Sequence, residues 1–90
     1  MRDIKELLLI LLNEYHAPET LNRLEVNPGY GFTRMITRCK KKGLLSDEEG
    51  EQIRLFILEH KPSDVIPLIW WPMQQKQPRI EFLSKLISEL

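Results

Sequence analysis

Residues 31–60 read GFTRMITRCKKKGLLSDEEGEQIRLFILEH, and this stretch decides the fold. Phe32, Met35, Ile36 and Cys39 fall three and four positions apart, which lines them up on one face of a helix. Thr33, Arg34, Thr37, Arg38 and Lys41 point the other way. Lys40, Lys41 and Lys42 stand at the carboxyl end, where the helix dipole favours cations. Gly43 is a natural left-handed cap residue, with Leu44 or Leu45 to make the accompanying apolar contact. Ser46-Asp47-Glu48-Glu49 then forms a capping box. The Ser46 hydroxyl accepts from the Glu49 amide, and the Glu49 side chain returns to the Ser46 amide. The spacing predicts a helix over 31–42, a turn at 43–45 and a helix over 47–60. Ile53, Phe56, Ile57 and His60 share a face of the latter. Gly50 weakens its first turn, and Pro62 ends it.

Outward from this pair, Ile4, Leu7, Leu8, Leu11, Leu12 and Tyr15 recur at helical spacing and predict a helix over 3–15. Leu9 and Ile10 widen its apolar face almost all round. Such a helix is either central in a bundle or covered by another subunit. Residues 16–30 are less regular. Pro18-Glu19-Thr20 can start a short helical turn, and Asn27-Pro28-Gly29 signals a tight turn. Pro67 and Pro72 exclude a regular helix over the first part of 63–77, whose β-branched and aromatic residues favour extended chain. Pro78 then suits the first turn of a last helix, with Ile80, Phe82, Leu83, Leu86, Ile87 and Leu90 as its apolar face. The expected fold is an all-α domain of four main helices, with an extended tryptophan-bearing crossover before the last.

Over 90 residues, 13 basic side chains balance 13 acidic ones, and 42% of the chain is hydrophobic. That apolar content fits one globular domain rather than a disordered chain. A neutral chain is a poor generic binder of nucleic acid or anionic membrane, which attract by net charge and counterion release. Cys39, the only cysteine, cannot form an intrachain disulfide or by itself a zinc site, which fits a reducing cytoplasm. The run Leu7–Leu12 is too short and too closely flanked by charges for a signal peptide. No stretch reaches the roughly 20 apolar residues of a membrane span. A cytoplasmic protein without a membrane partner is expected, and the apolar first helix predicts a homo-oligomer.

Two places carry side chains that folding alone does not explain. At the first, Tyr30, Gly31, Thr33 and Arg34 surround a helix start. Glycines there let backbone amides converge on an anion, Thr33 and Arg34 add a hydroxyl and a guanidinium, and Tyr30 can stack on a base. The plain alternative is a loop-to-helix junction that needs a pliant backbone. At the second, Trp70 and Trp71 sit side by side in an extended segment and must point to opposite sides. One can serve as a binding hot spot or stacking platform, or both can cover a small core. Arg79 nearby can stack on a ring or bind a carboxylate or phosphate.

The helix–turn–helix spacing of 31–60 also raises DNA binding. The second helix opens Asp47-Glu48-Glu49-Gly50-Glu51, however, and those carboxylates repel a phosphate backbone. Catalytic readings find little support. His16 and His60 lie in no ligand-spaced cluster, and Cys39 falls on a buried stripe, the place of an inert thiol. No catalytic residue, metal set or cofactor is expected.

Tyr30-Gly31-Phe32, Ile36, Gly43-Leu44-Leu45-Ser46 with Glu48-Glu49, Pro62, Trp70-Trp71-Pro72 and Pro78-Arg79-Ile80-Glu81-Phe82-Leu83 with Leu86-Ile87 form a pattern over residues 30–90. It resembles that of a group of short proteins encoded by bacteriophages and prophages. The helix start there often reads Gly-Leu-Cys, and Gly31-Phe32-Thr33 departs from it. The resemblance implies a mobile-element setting in a bacterial host, with a counter-defence or host-takeover role. Three functions follow as expectations. The first is a non-enzymatic accessory protein that sequesters a phosphate-bearing ligand such as a nucleotide signal, through Tyr30, Gly31, Thr33, Arg34, Trp70, Trp71 and Arg79. The second is an interaction module that inhibits a host protein through Trp70-Trp71. The third is a nucleic-acid-binding regulator that uses the basic residues 38–42.

Overall fold

The computed structural model describes residues 2–17, 31–60 and 76–90, with the side chains of the last segment from Arg79 onward. Four α-helices, and no strand, occur among these residues: α1 (Ile4–Tyr15), α2 (Phe32–Lys41), α3 (Asp47–His60) and α4 (Lys76–Ser88). The fold is all-α, as the periodicity predicts. The helical turn after Pro18, the Asn27-Pro28-Gly29 turn and the extended crossover over 63–77 lie outside the described residues, apart from the end of that last segment. There α4 begins two residues ahead of Pro78. Proline still falls in the first turn, where its missing N–H forfeits no helical hydrogen bond.

The ends of the helices follow the local chemistry of the sequence. The Asp3 carboxylate caps α1 by accepting from the Glu6 amide at 2.9 Å. Helix α2 stops at Gly43, whose φ of +76° is the left-handed conformation that glycine adopts at no steric cost. The Gly43 amide then donates to the Lys40 carbonyl at 3.0 Å and the Leu44 amide to that of Cys39 at 2.9 Å. These two bonds are those of a Schellman motif. Leu45 is the buried leucine of the turn, while Leu44 remains exposed. The capping box forms as expected, with Ser46 N–H to Glu49 Oε1 at 2.9 Å and Glu49 N–H to Ser46 Oγ at 3.1 Å.

Helix α1 packs against each of the other three. Leu7, Leu8, Leu11 and Tyr15 are fully buried on it. Its wide apolar face is thus that of a central helix, and Leu9 is the large apolar side chain it leaves exposed. Phe32, Met35, Ile36 and Cys39 of α2, Ile53 and Ile57 of α3, and Ile80, Leu83 and Leu86 of α4 complete the core. Two members of the expected faces fall outside it. His60 is exposed at the end of α3 and stacks on Phe56. Leu90 follows the end of α4 and is also exposed.

Charge enters this core at three points. Glu14 is buried on α1 and meets Lys42 Nζ at 2.8 Å, tying α1 to the turn after α2. Arg2 grips the Glu49 carboxylate through Nε at 3.0 Å and Nη2 at 2.8 Å. The same Nη2 reaches the Leu44 carbonyl at 2.8 Å, which fastens the amino-terminal end to the α2–α3 turn. Arg79 is the third. It is only 4% exposed.

Candidate functional site

The start of α2, the second half of α3 and the start of α4 enclose a cavity of about 240 Å³. Gly31, Phe32, Thr33 and Arg34 line it from α2, Arg54, Ile57 and Leu58 from α3, and Arg79 from α4. Phe32, Ile57 and Arg79 are buried in its wall, whereas Thr33, Arg34 and Leu58 are exposed at its rim. Four of the residues singled out in the sequence, Gly31, Thr33, Arg34 and Arg79, therefore share one cavity. Tyr30, Trp70 and Trp71 lie outside the described residues.

Helix α2 turns its positive end to this space. Gly31 occupies the cap position and offers no side-chain acceptor, and the first turn holds no acidic residue. The N–H groups of a first turn have no intrahelical acceptor, and the helix dipole adds partial positive charge beside them. An anion there satisfies both. Thr33 adds a hydroxyl. Arg34 adds a guanidinium that makes no hydrogen bond or ion pair among the described residues.

Arg79 is the unusual member. Its guanidinium carbon sits 4.4 Å from the centroid of the Phe32 ring. Phe32 in turn packs against Tyr15, edge to face at 6.3 Å, and against Phe82 at 5.8 Å. The aromatic cluster takes the stem and one face of the guanidinium. It supplies no carboxylate, and Arg79 Nε is buried with no hydrogen-bond partner among the described residues. Burial pulls the Arg79 guanidinium below its ordinary pKa, with the nearby Tyr15 phenol acting in the opposite direction. Burying an arginine without a full set of acceptors costs several kcal/mol, so such groups are ordinarily paired.

Arg54 was not singled out in the sequence. It forms an ion pair with Glu51 one turn earlier, donating from Nε to Oε2 at 2.9 Å. A charged pair on a helix reads as a solvated face. Only the packing of the α2 start beside Arg54, Ile57 and Leu58 makes it part of a site, although their one-turn spacing does place the three on one stripe. The opening of α3 is different in sign. Asp47, Glu48 and Glu51 are exposed there, and carboxylates in that position repel a phosphate backbone.

Among the described residues, no group of three or more His, Cys, Asp or Glu side chains is placed to hold a metal ion. No described helix is long and apolar enough to cross a membrane. Comparison with known proteins finds no matching family model, no significantly similar curated protein and no significantly similar solved structure.

Proposed function

We propose that this chain binds and sequesters a phosphate-bearing small ligand, such as a nucleotide signal, as a non-enzymatic accessory protein of a phage or mobile element. The observation that carries the ligand class is Arg79. It is a buried guanidinium whose Nε has no hydrogen-bond partner among the described residues, in the wall of a cavity that also receives Arg34 and the uncapped start of α2. The likeness to short phage and prophage proteins supports the setting. Arg79 and Arg34 take the phosphate, the α2 amides complete its coordination, and Ile57 and Leu58 offer apolar surface to a sugar or base. These groups bind and orient. The reading assigns them no chemical step on the ligand.

The test is a thermal-shift and calorimetric screen with orthophosphate and with linear and cyclic nucleotides, on the wild-type chain and on Arg34→Gln. A saturable rise in Tm with phosphate-bearing compounds, lost in Arg34→Gln, supports the reading. Silence across the panel, or an equal response from Arg34→Gln, overturns it.

A further inference from the structure

A second cavity of about 270 Å³ runs along the same face of α2, lined by Arg34, Thr37, Arg38 and Lys41. Arg34 belongs to both cavities. Positions 34, 37, 38 and 41 recur at three and four residues, so they form one stripe down the helix. With a rise of about 1.5 Å per residue, Arg38 lies about 6 Å and Lys41 about 10 Å along the axis from Arg34.

The basic cluster at the end of α2 divides by task. Lys40 faces Asp47 at 3.9 Å and Lys42 is held by buried Glu14 at 2.8 Å. Those two lysines serve the fold. Lys41 makes no ion pair among the described residues, and its exposed side chain turns onto the stripe instead. The Thr37 hydroxyl donates to the Thr33 carbonyl at 3.0 Å, which leaves its oxygen to accept and its stem in the floor. The chain as a whole carries no net charge, so a one-sided cationic track is a local arrangement rather than a consequence of composition. Pockets that take a whole small ligand usually measure about 300–1,000 Å³. The cavity at Arg79 is smaller than that, and the second cavity shares Arg34 with it.

We infer that the ligand carries more than one phosphate, the first held in the cavity of Arg79 and the next along Arg34, Arg38 and Lys41. This inference rests on the phosphate reading of the first cavity and adds the ligand's length and charge. Arg34 is the shared post between neighbouring phosphates. A ligand with a single phosphate fills only the Arg79 end.

The deciding experiment is a calorimetric ladder of orthophosphate, pyrophosphate and tripolyphosphate at one fixed ionic strength, because exposed charge is screened by salt. Wild-type affinity is expected to climb about tenfold from orthophosphate to tripolyphosphate, which is about 1.4 kcal/mol. Arg38→Gln with Lys41→Gln should flatten the ladder and leave orthophosphate binding unchanged. Lys41→Gln alone, at an exposed position, should flatten it in part. The charge-matched pair Lys5→Gln with Lys85→Gln, on the exposed faces of α1 and α4, should keep it. A wild-type ladder that is already flat overturns the inference, as does a charge-matched variant that flattens it equally. If orthophosphate, pyrophosphate and tripolyphosphate all fail to bind the wild type, the phosphate reading itself falls and this inference with it.

Discussion

Arg79 lies over the ring of Phe32, 4.4 Å from guanidinium carbon to ring centroid, although the two stand far apart in the sequence. Phe32 is the first residue of α2 and Arg79 belongs to the first turn of α4. One contact thus joins the starts of two helices, and the cavity opens beside it. A cation over an aromatic face is worth about 0.5–2 kcal/mol, the larger value when desolvated. That is less than the cost of burying a guanidinium with an unpaired donor. The contact positions the charge without fully compensating it.

Replacement of Arg79 separates its packing from its charge. Arg79→Ala removes the stem as well as the guanidinium, and is expected to destabilise the fold by about 2–3 kcal/mol, as for other large truncations in a core. Arg79→Met keeps an unbranched apolar stem against Phe32 and drops the charge. Its Tm should match or exceed that of the wild type, while phosphate-induced stabilisation disappears. Chemical denaturation of the three proteins, with and without phosphate, gives both quantities. If methionine costs as much as alanine, the guanidinium stabilises the fold and its role as a ligand group loses its basis.

The Glu49 carboxylate predicts an acid limit to stability. The Arg2 guanidinium and the Ser46 amide both donate to it, which brings its pKa from 4.5 down to about 2. A carboxyl depressed in the folded state stabilises that state above its unfolded pKa and loses the effect as pH falls through the folded one. The window is therefore pH 4.5 down to about 2. Glu49→Gln preserves an acceptor for the capping box but cannot ionise. Its Tm should be lower than wild type at pH 7, and the two curves should converge toward pH 2. Parallel curves from pH 7 to 2 would sink the assignment.

The helices and their ends were legible because each has a local cause. Gly43 and the Ser46–Glu49 box carry their geometry within a few residues, and the stripe Phe32, Met35, Ile36, Cys39 needs only the helical period. The site was legible in halves. Gly31, Thr33 and Arg34 stand out as a glycine-led helix start that adds a hydroxyl and a guanidinium, and Arg79 as an arginine a few residues after Trp70-Trp71. Arg54 was not legible, because its pairing with Glu51 is the ordinary behaviour of a surface helix. Its place in the cavity depends on how α2 lies across α3, a long-range fact. The second role of Gly50 is hidden for the same reason. Beyond its low helix propensity, a Cβ there would stand 3.0 Å from Ile36 Cγ2 and 3.1 Å from Lys40 Cδ. The glycine is what lets the two helices approach.

Cys39 should behave as an inert thiol. It is fully buried, and burial, with the Glu14 carboxylate nearby, pushes its pKa up to about 11. The thiolate is the reactive species, so little of it exists at pH 8. Reaction with an aromatic disulfide reagent at that pH should be slow in the native protein and limited by opening of the fold. It should be complete within seconds in denaturant. Fast native reaction would mean that the α1–α2 contact opens readily.

The two described glycines of the α2–α3 hairpin should respond to alanine for opposite reasons. At Gly43 nothing lies within 4 Å of an added Cβ, but the φ of +76° strains any L side chain. Gly43→Ala should therefore cost about 1–2 kcal/mol through the backbone alone. Gly43→Asn should cost less, since asparagine tolerates this conformation. At Gly50 the backbone is helical, and alanine there gains about 1 kcal/mol of helix propensity. Crowding by Ile36 Cγ2 offsets that gain. Ile36→Leu moves the branch point away from the contact at similar volume, so the pair Gly50→Ala with Ile36→Leu should be more stable than the single changes imply. A double-mutant cycle should give a favourable coupling of about 0.5–3 kcal/mol. Simple additivity would show that the α2–α3 crossing is looser than the 3.0 Å approach implies.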